Sequence, residues 1–163
     1  MFSPPEELLE ESIGSLITDA IIVIPTFSDD SDYGLAHIVA AISSMVKEIY
    51  RKSEWIKKAG WSQHVLEVFG EAVQNAAKHG NKQDRSKKIT LGIWFGEFSL
   101  LFAIKDEGSF MSDPENKEKI ESRILLPYHD NGCGMPSIYK ADRIHVSTEE
   151  NTLYLVVNFV RFV

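Results

Sequence analysis

Three side chains that an ordinary amphipathic helix does not need recur at a spacing of four in the run EVFGEAVQNAAKHGN, residues 67 to 81: Glu71, Asn75 and His79. Such a spacing places them on nearly one side of a helix, drifting slowly round it. The carboxylate and the amide oxygen are hard ligands of the kind Mg²⁺ accepts, an ion that keeps several waters and takes few protein oxygens together with phosphates. A free carboxylate one turn from such an ion is placed to orient or deprotonate a nucleophile. A solvated helix edge, with His79 complementing the negative end of the helix dipole, satisfies the same spacing. The three residues alone leave both readings open.

Two further segments bear on the choice. The apolar run ending Ala103-Ile104-Lys105 leads into Asp106-Glu107-Gly108, where an aspartate at a strand end is placed to accept a hydrogen bond from an exocyclic amine and a glycine lets a flat ring approach the backbone. Asn131-Gly132-Cys133-Gly134-Met135 precedes a short helical pattern, and a Gly-x-Gly turn at a helix start exposes backbone N–H groups suited to phosphate oxygens. Each turn is common by itself. Their order along the chain, carboxylate and amide first, aspartate second, glycine turn third, is far less so.

The elements that position these residues follow from the hydrophobic pattern. Residues 6 to 18 alternate acidic and apolar groups at helical spacing, so 1–19 is expected to be a short helix or an arm. Ala20 to Pro25 is a β-branched run stopped by proline, hence a strand, and the Ser28 to Asp32 cluster supplies a turn and a helix cap. A first long helix is expected to about Lys58, ended by Gly60. A second starts at Trp61-Ser62, with Val65, Phe69, Ala72, Val73, Ala76 and Ala77 as its apolar stripe and Gly80-Asn81 near its end. The polar edge belongs to this second helix. Strands over Lys88 to Phe95 and Phe98 to Lys105 form a hairpin at Gly96-Glu97. Residues 106 to 131 lose periodicity and form a long loop with one helical turn around Glu115 to Ile120. A short helix over 133 to 141 tolerates Pro136 near its start, and strands over Arg143 to Ser147 and Leu153 to Phe162 close the chain around a turn at Asn151. The expected fold is α+β: one domain over 20–163, a two-layer α/β sandwich with a mostly antiparallel mixed sheet and helices on one face.

Composition excludes several classes. The 163 residues, 44% hydrophobic, suffice for one core. A formal net charge of −7, with no Lys/Arg tract beyond short pairs, argues against nucleic acid as a partner. Cys133 is the only cysteine, which rules out an internal disulfide and fits a reducing cytoplasm. The acidic start MFSPPEELLEE lacks the pattern of a signal peptide, and no stretch reaches the length of a membrane span; a soluble cytoplasmic protein is expected, with no membrane partner. His37, His64, His129 and His145 are scattered without metal-ligand spacing, and Trp55, Trp61 and Trp94 read as packing groups. Neither a Walker-type phosphate loop nor the eukaryotic protein-kinase signature occurs.

The segments EAVQNAAKHG (71–80), IKDEG (104–108) and NGCGM (131–135) resemble the N box and the two glycine boxes of the GHKL, or Bergerat-fold, ATPases, the superfamily of gyrase, Hsp90 and histidine kinases. The short form E-A-x-x-N-A-x-x-H-G is most similar to the anti-sigma-factor serine/threonine kinases, and the likeness runs over roughly residues 20 to 162. It implies that Asn75 ligates the Mg²⁺ bridging the ATP phosphates and that Glu71 is the general base toward the acceptor hydroxyl. Asp106 would bind the adenine amino group with Thr152 in support, and Gly108 would make room for the ring. Gly132 and Gly134, with the neighbouring backbone of Cys133 and Met135, would hold phosphates. Lys78 and His79 would be secondary contacts, and 109–131 the ATP lid. The implied cofactors are ATP and Mg²⁺, and the implied partners are a sigma factor or an anti-sigma antagonist, with a homodimer also in keeping.

The pattern departs from the family at three places: the first glycine box, Pro136 after the second box, where a larger helix former is common, and His37 in the first long helix, near where the kinases often carry an arginine. After Asp106-Glu107-Gly108 the family usually has a second glycine and then an aromatic residue, whereas Ser109 here runs directly into Phe110 and Met111. A catalytically degenerate module that only binds a partner is therefore an alternative. So is a stand-alone ATP-binding domain of histidine-kinase type, which would act in trans because the residues before the first strand are too few for a phosphoacceptor helix pair.

Overall fold

The computed structural model describes residues 2–27, 32–53, 61–124 and 137–159. The chain runs α1 (Glu6–Ile13), β1 (Leu16–Pro25), α2 (Asp32–Ile49), α3 (Trp61–Asn75), a π-helical turn (Ala76–Gly80), β2 (Lys88–Gly96), β3 (Ser99–Lys105), α4 (Pro114–Glu121), a 3₁₀ turn (Ile138–Lys140), β4 (Arg143–Ser147) and β5 (Thr152–Asn158). The strands form one five-stranded sheet in the order β1-β2-β3-β5-β4. All four pairings are antiparallel among the described residues. The α+β sandwich is as expected; the mixed character is not seen in these pairings.

The period-2 pattern decides what each sheet face does. Ile89, Leu91, Ile93 and Phe95 of β2, with Leu100, Phe102 and Ile104 of β3 and Leu153, Leu155 and Val157 of β5, face the helix layer. There they meet Ile42 and Val46 of α2 and Val65, Phe69, Ala72 and Val73 of α3. Every residue of the expected α3 stripe is buried. The alternate residues Trp94, Leu101, Ala103, Tyr154 and Val156 face the other way, and Leu8 and Ile13 of α1 cover them together with Phe2. Not all helices lie on one face, then: α1 is a small lid on the back of the sheet. This is why β2, β3 and β5 are apolar at consecutive positions instead of alternating.

Local contacts account for the shifted boundaries. β1 begins at Leu16, ahead of the expected Ala20, because residues 16 to 19 continue the ladder with β2 as far as Gly96. Glu97 N–H donates to Ser15 O at 3.0 Å at that corner. Gly96 must lack a side chain, since a Cβ there would stand 1.8 Å from Ile13 Cγ2. α2 stops at Ile49, short of the expected Lys58. Tyr50 follows with its ring 5.0 Å from that of Phe159, and its hydroxyl donates to Gly96 O at 2.6 Å. The expected turn at 28–31, Trp55, Gly60 and the start of the helix at 133 lie outside the described residues.

Candidate functional site

The polar edge lies where α3 gives way to the π turn. A π turn places one extra residue in the helical ring, as Asn81 N–H donating to Ala76 O at 2.8 Å shows, and such turns recur at functional sites. Ala72, Ala76 and Ala77 are buried on the sheet side. Glu71 on the same helix is half-buried, and its Oε1 has no hydrogen-bond partner among the described residues; nor has Nδ2 of Asn75, which is buried. Burial pushes the Glu71 carboxyl above the usual range, while the Asn75 amide and the charge of Lys78 pull it down. The amide is close enough to favour the anion, but the geometry of a formed hydrogen bond is not met. Buried polar atoms left without partners are expensive, and two of them one turn apart mark an edge built to meet something polar.

A narrow cleft opens beside this edge, lined by Asn75, Ala76, His79 and Gly80 from the helix end, Ile104 and Asp106 from β3 and its end, Leu153 from β5, and Phe110 and Met111 from the following loop. Its free space is about 10 Å³, room for about one water. A wider, solvent-open cavity of about 470 Å³ adjoins it and shares His79, Gly80 and Phe110 as walls. Phe110 stands between the two.

Asp106 is the most tightly held member. Its Oδ1 accepts from Gly108 N–H at 2.8 Å and from Asn151 Nδ2 at 2.8 Å, and the same amide donates to the Asp106 carbonyl at 3.2 Å. Burial raises its carboxyl above the usual aspartate range; the bonds from Gly108 and Asn151 and the charge of Lys87 oppose that shift. Two glycines allow the packing. A Cβ on Gly80 would meet Asp106 Oδ2 at 2.1 Å, and one on Gly108 would meet Gly80 O at 2.1 Å. The bareness of Gly108 thus serves the approach of two backbone segments.

Asn81 secures this corner. Fully buried, it donates from Nδ2 to Thr26 Oγ1 at 2.7 Å and to Lys88 O at 3.0 Å, and its Oδ1 accepts from Glu107 N–H at 2.8 Å. One amide therefore ties the end of β1, the start of β2 and the loop after β3 to the end of the helix.

The first part of the expected lid is an ordered helix. Asp113 caps α4 by accepting from Glu115 N–H at 2.9 Å, with Pro114 in the first turn. Asn116 Nδ2 donates to Phe110 O at 3.1 Å, Ser112 Oγ to Asn151 Oδ1 at 3.1 Å, and Ile120 is buried. The structure thus gathers Asn75, His79, Asp106 and the neighbourhood of Gly108 around one pair of cavities, with Glu71 and Lys78 on the adjoining helix. Thr152 is buried in β5 and its hydroxyl donates to Glu150 O at 3.0 Å; the direct bonds to Asp106 come from Asn151, one residue earlier. Gly132, Cys133, Gly134, Met135 and residues 125–131 lie outside the described residues. Asn81, Asn151 and Ser112 were missed by sequence reasoning. Asn81 had the look of a helix stop and Asn151 of a turn residue, roles that hide a second use of the same amide.

An antiparallel sheet under a helix layer, with a polar helix edge beside a cleft that ends on a strand-end aspartate, defines a two-layer α+β ligand-binding domain. Residues 34–157 match the histidine kinase-like ATPase domain. The match covers well over half of the chain, which belongs to that family, and membership implies that the domain binds ATP. No curated protein matches the chain. Among the described residues no helix is long and apolar enough to cross a membrane.

Proposed function

We propose that the protein is a cytoplasmic protein kinase of the anti-sigma-factor type, which transfers the γ-phosphoryl group of ATP to a serine or threonine hydroxyl of a small antagonist protein. The observation that carries this reading is the pairing of Glu71 Oε1 and Asn75 Nδ2, one turn apart on the helix that walls the cleft and with no formed hydrogen bond among the described residues. An ATPase of this fold needs only to place water or a base near the γ-phosphate. A half-buried carboxylate with a raised pKa is matched to taking a proton from a hydroxyl.

In this reading Asp106 accepts the adenine amino group and Asn75 lies toward the phosphates. The donor set fits Mg²⁺: an amide oxygen is a hard ligand, and among the described residues no three of His, Cys, Asp or Glu gather into a protein cage, so water and phosphate oxygens would complete the shell. Asn75 would hold the ion, which supplies neutralisation of the phosphate charge when bound. Glu71 orients the acceptor hydroxyl and receives its proton as the acceptor oxygen bonds to the γ-phosphorus and the bond to the β-bridging oxygen breaks, releasing ADP. Catalysis then rests mainly on positioning and charge. The narrow cleft requires Phe110 or Met111 to move before a purine ring enters.

Calorimetry with ATP and ADP, with and without Mg²⁺, followed by phosphotransfer to the small antagonist proteins of the same genome, tests the proposal. Asn75→Ala should abolish Mg²⁺-dependent ATP binding, and undiminished binding would reject its assignment. Glu71→Gln should leave binding within about twofold and lower transfer by about 10² or more; equal transfer would reject Glu71 as base. The altered box at Ser109-Phe110 and the narrow cleft favour a second reading, a partner-binding module without turnover. Tight ATP binding with no transfer to any antagonist would select it.

A further inference from the structure

Asn151 occupies the turn between β4 and β5 with a left-handed backbone, φ 51°. Glycine would meet that backbone requirement at less cost, so the turn does not explain the amide. The side chain is buried and fully engaged: Nδ2 donates to both Oδ1 and the carbonyl oxygen of Asp106, and Oδ1 accepts from Ser112 Oγ. The carboxylate and carbonyl of Asp106, which only accept, fix which way the amide faces: the NH₂ group turns to them, and Oδ1 is left to accept from the Ser112 hydroxyl, which braces it from the other side. With Oδ1 of Asp106 occupied by Asn151 and by Gly108 N–H, Oδ2 is the oxygen with no donor among the described residues, and Asp106 lines the cleft.

We propose that Asn151 is a positioning residue for base recognition: it holds Asp106 so that one carboxylate oxygen is consumed and the other is presented to the cleft as an acceptor only. Such a site selects a purine with an amino group at position 6 over one with a carbonyl there, since a carbonyl would face a carboxylate oxygen with no proton between them. Ser112, at the start of the segment leading into α4, shares the task by holding the amide, so the base contact and the loop that follows Asp106 are linked through one side chain. The inference rests on the ATP-binding reading above and deepens it.

Asn151→Gly keeps the left-handed turn and removes the amide; Ser112→Ala keeps the amide and removes the hydroxyl that braces its oxygen. Two measurements apply to each. Calorimetry with ATP and ITP, which differ at position 6, should show the ATP-to-ITP affinity ratio falling about tenfold in Asn151→Gly and by a smaller factor in Ser112→Ala. Carbon-detected NMR titration of the nucleotide-free protein should show the Asp106 carboxyl titrating at higher pH in Asn151→Gly, where it loses a donor and keeps Lys87 as its nearby cation. An unchanged ratio together with an unchanged Asp106 titration overturns the proposal. Should Asn151→Gly fail to fold, an unchanged ratio in Ser112→Ala does the same. If the wild type binds neither nucleotide, the ATP-binding reading fails, and the Asp106 titration still decides whether Asn151 positions it.

Discussion

Burial holds the Asp106 carboxyl above the usual aspartate range although three neighbours favour its anion, so desolvation outweighs them all. The sign of the pH dependence follows. A carboxyl whose pKa rises on folding contributes stability that is fully present below the ordinary aspartate pKa and is lost as pH rises through the folded value. Nucleotide binding works in the opposite sense, because accepting an amino N–H needs the anion. ATP affinity is expected to weaken on acidification at a higher pH than an ordinary aspartate would impose. In Asp106→Asn that acid limb should vanish, with weaker binding at neutral pH. Calorimetric titrations across the acid range check both, and an acid limb that survives in the variant would assign it to another group.

The short polar ties between elements set the geometry of the cleft. Asn81→Ala removes one buried amide and leaves Lys88 O and Glu107 N–H without its bonds, while Thr26 Oγ1 keeps its bond to Lys87 O; the expected loss is about 1–3 kcal/mol in urea unfolding, with weaker ATP binding because the loop carrying Asp106 comes loose. A variant as stable as the wild type would show that water replaces the amide. What sequence conveyed and what it concealed divide at this scale. Periodicity is a property of consecutive residues, so the α3 stripe, the hairpin at Gly96-Glu97 and the five strands were legible within a few positions. The placement of Glu71 and Asn75 on one edge was legible for the same reason. Partners far apart in the chain were not. Nothing near Asn151 points to Asp106, and nothing near Gly80 announces that a methyl group there would strike that carboxylate. The contact of Tyr50, just past α2, with Gly96 is another tie between distant segments that its neighbours in the chain do not announce.

At the scale of the whole molecule, the sheet separates two jobs. One face carries the helix layer and the cleft; the other is covered by α1, tied down by the Arg143–Glu11 ion pair at 2.7 Å and by the hydrogen bond from Ser99 Oγ to Ser12 O. Ile13 is 1% exposed and sits over Gly96, so Ile13→Ala leaves a cavity that the glycine backbone cannot fill. The expected cost is about 2–5 kcal/mol in urea unfolding, with ATP affinity unchanged because the cleft lies across the sheet; a matching loss of affinity would mean that the two faces are coupled. The same helix has a place in time. α1 is made before every strand, yet its seat is built from Trp94, Leu101, Tyr154 and Val156, and Tyr154 is among the last residues described. In synthesis α1 therefore precedes its whole seat: β2 and β3 supply the first part of the cover for Leu8 and Ile13, and the seat is complete only when Tyr154 and Val156 of β5 join the sheet. The acidic residues Glu6, Glu7, Glu10 and Glu11 of α1 are exposed and give the segment a solvated face opposite Leu8 and Ile13.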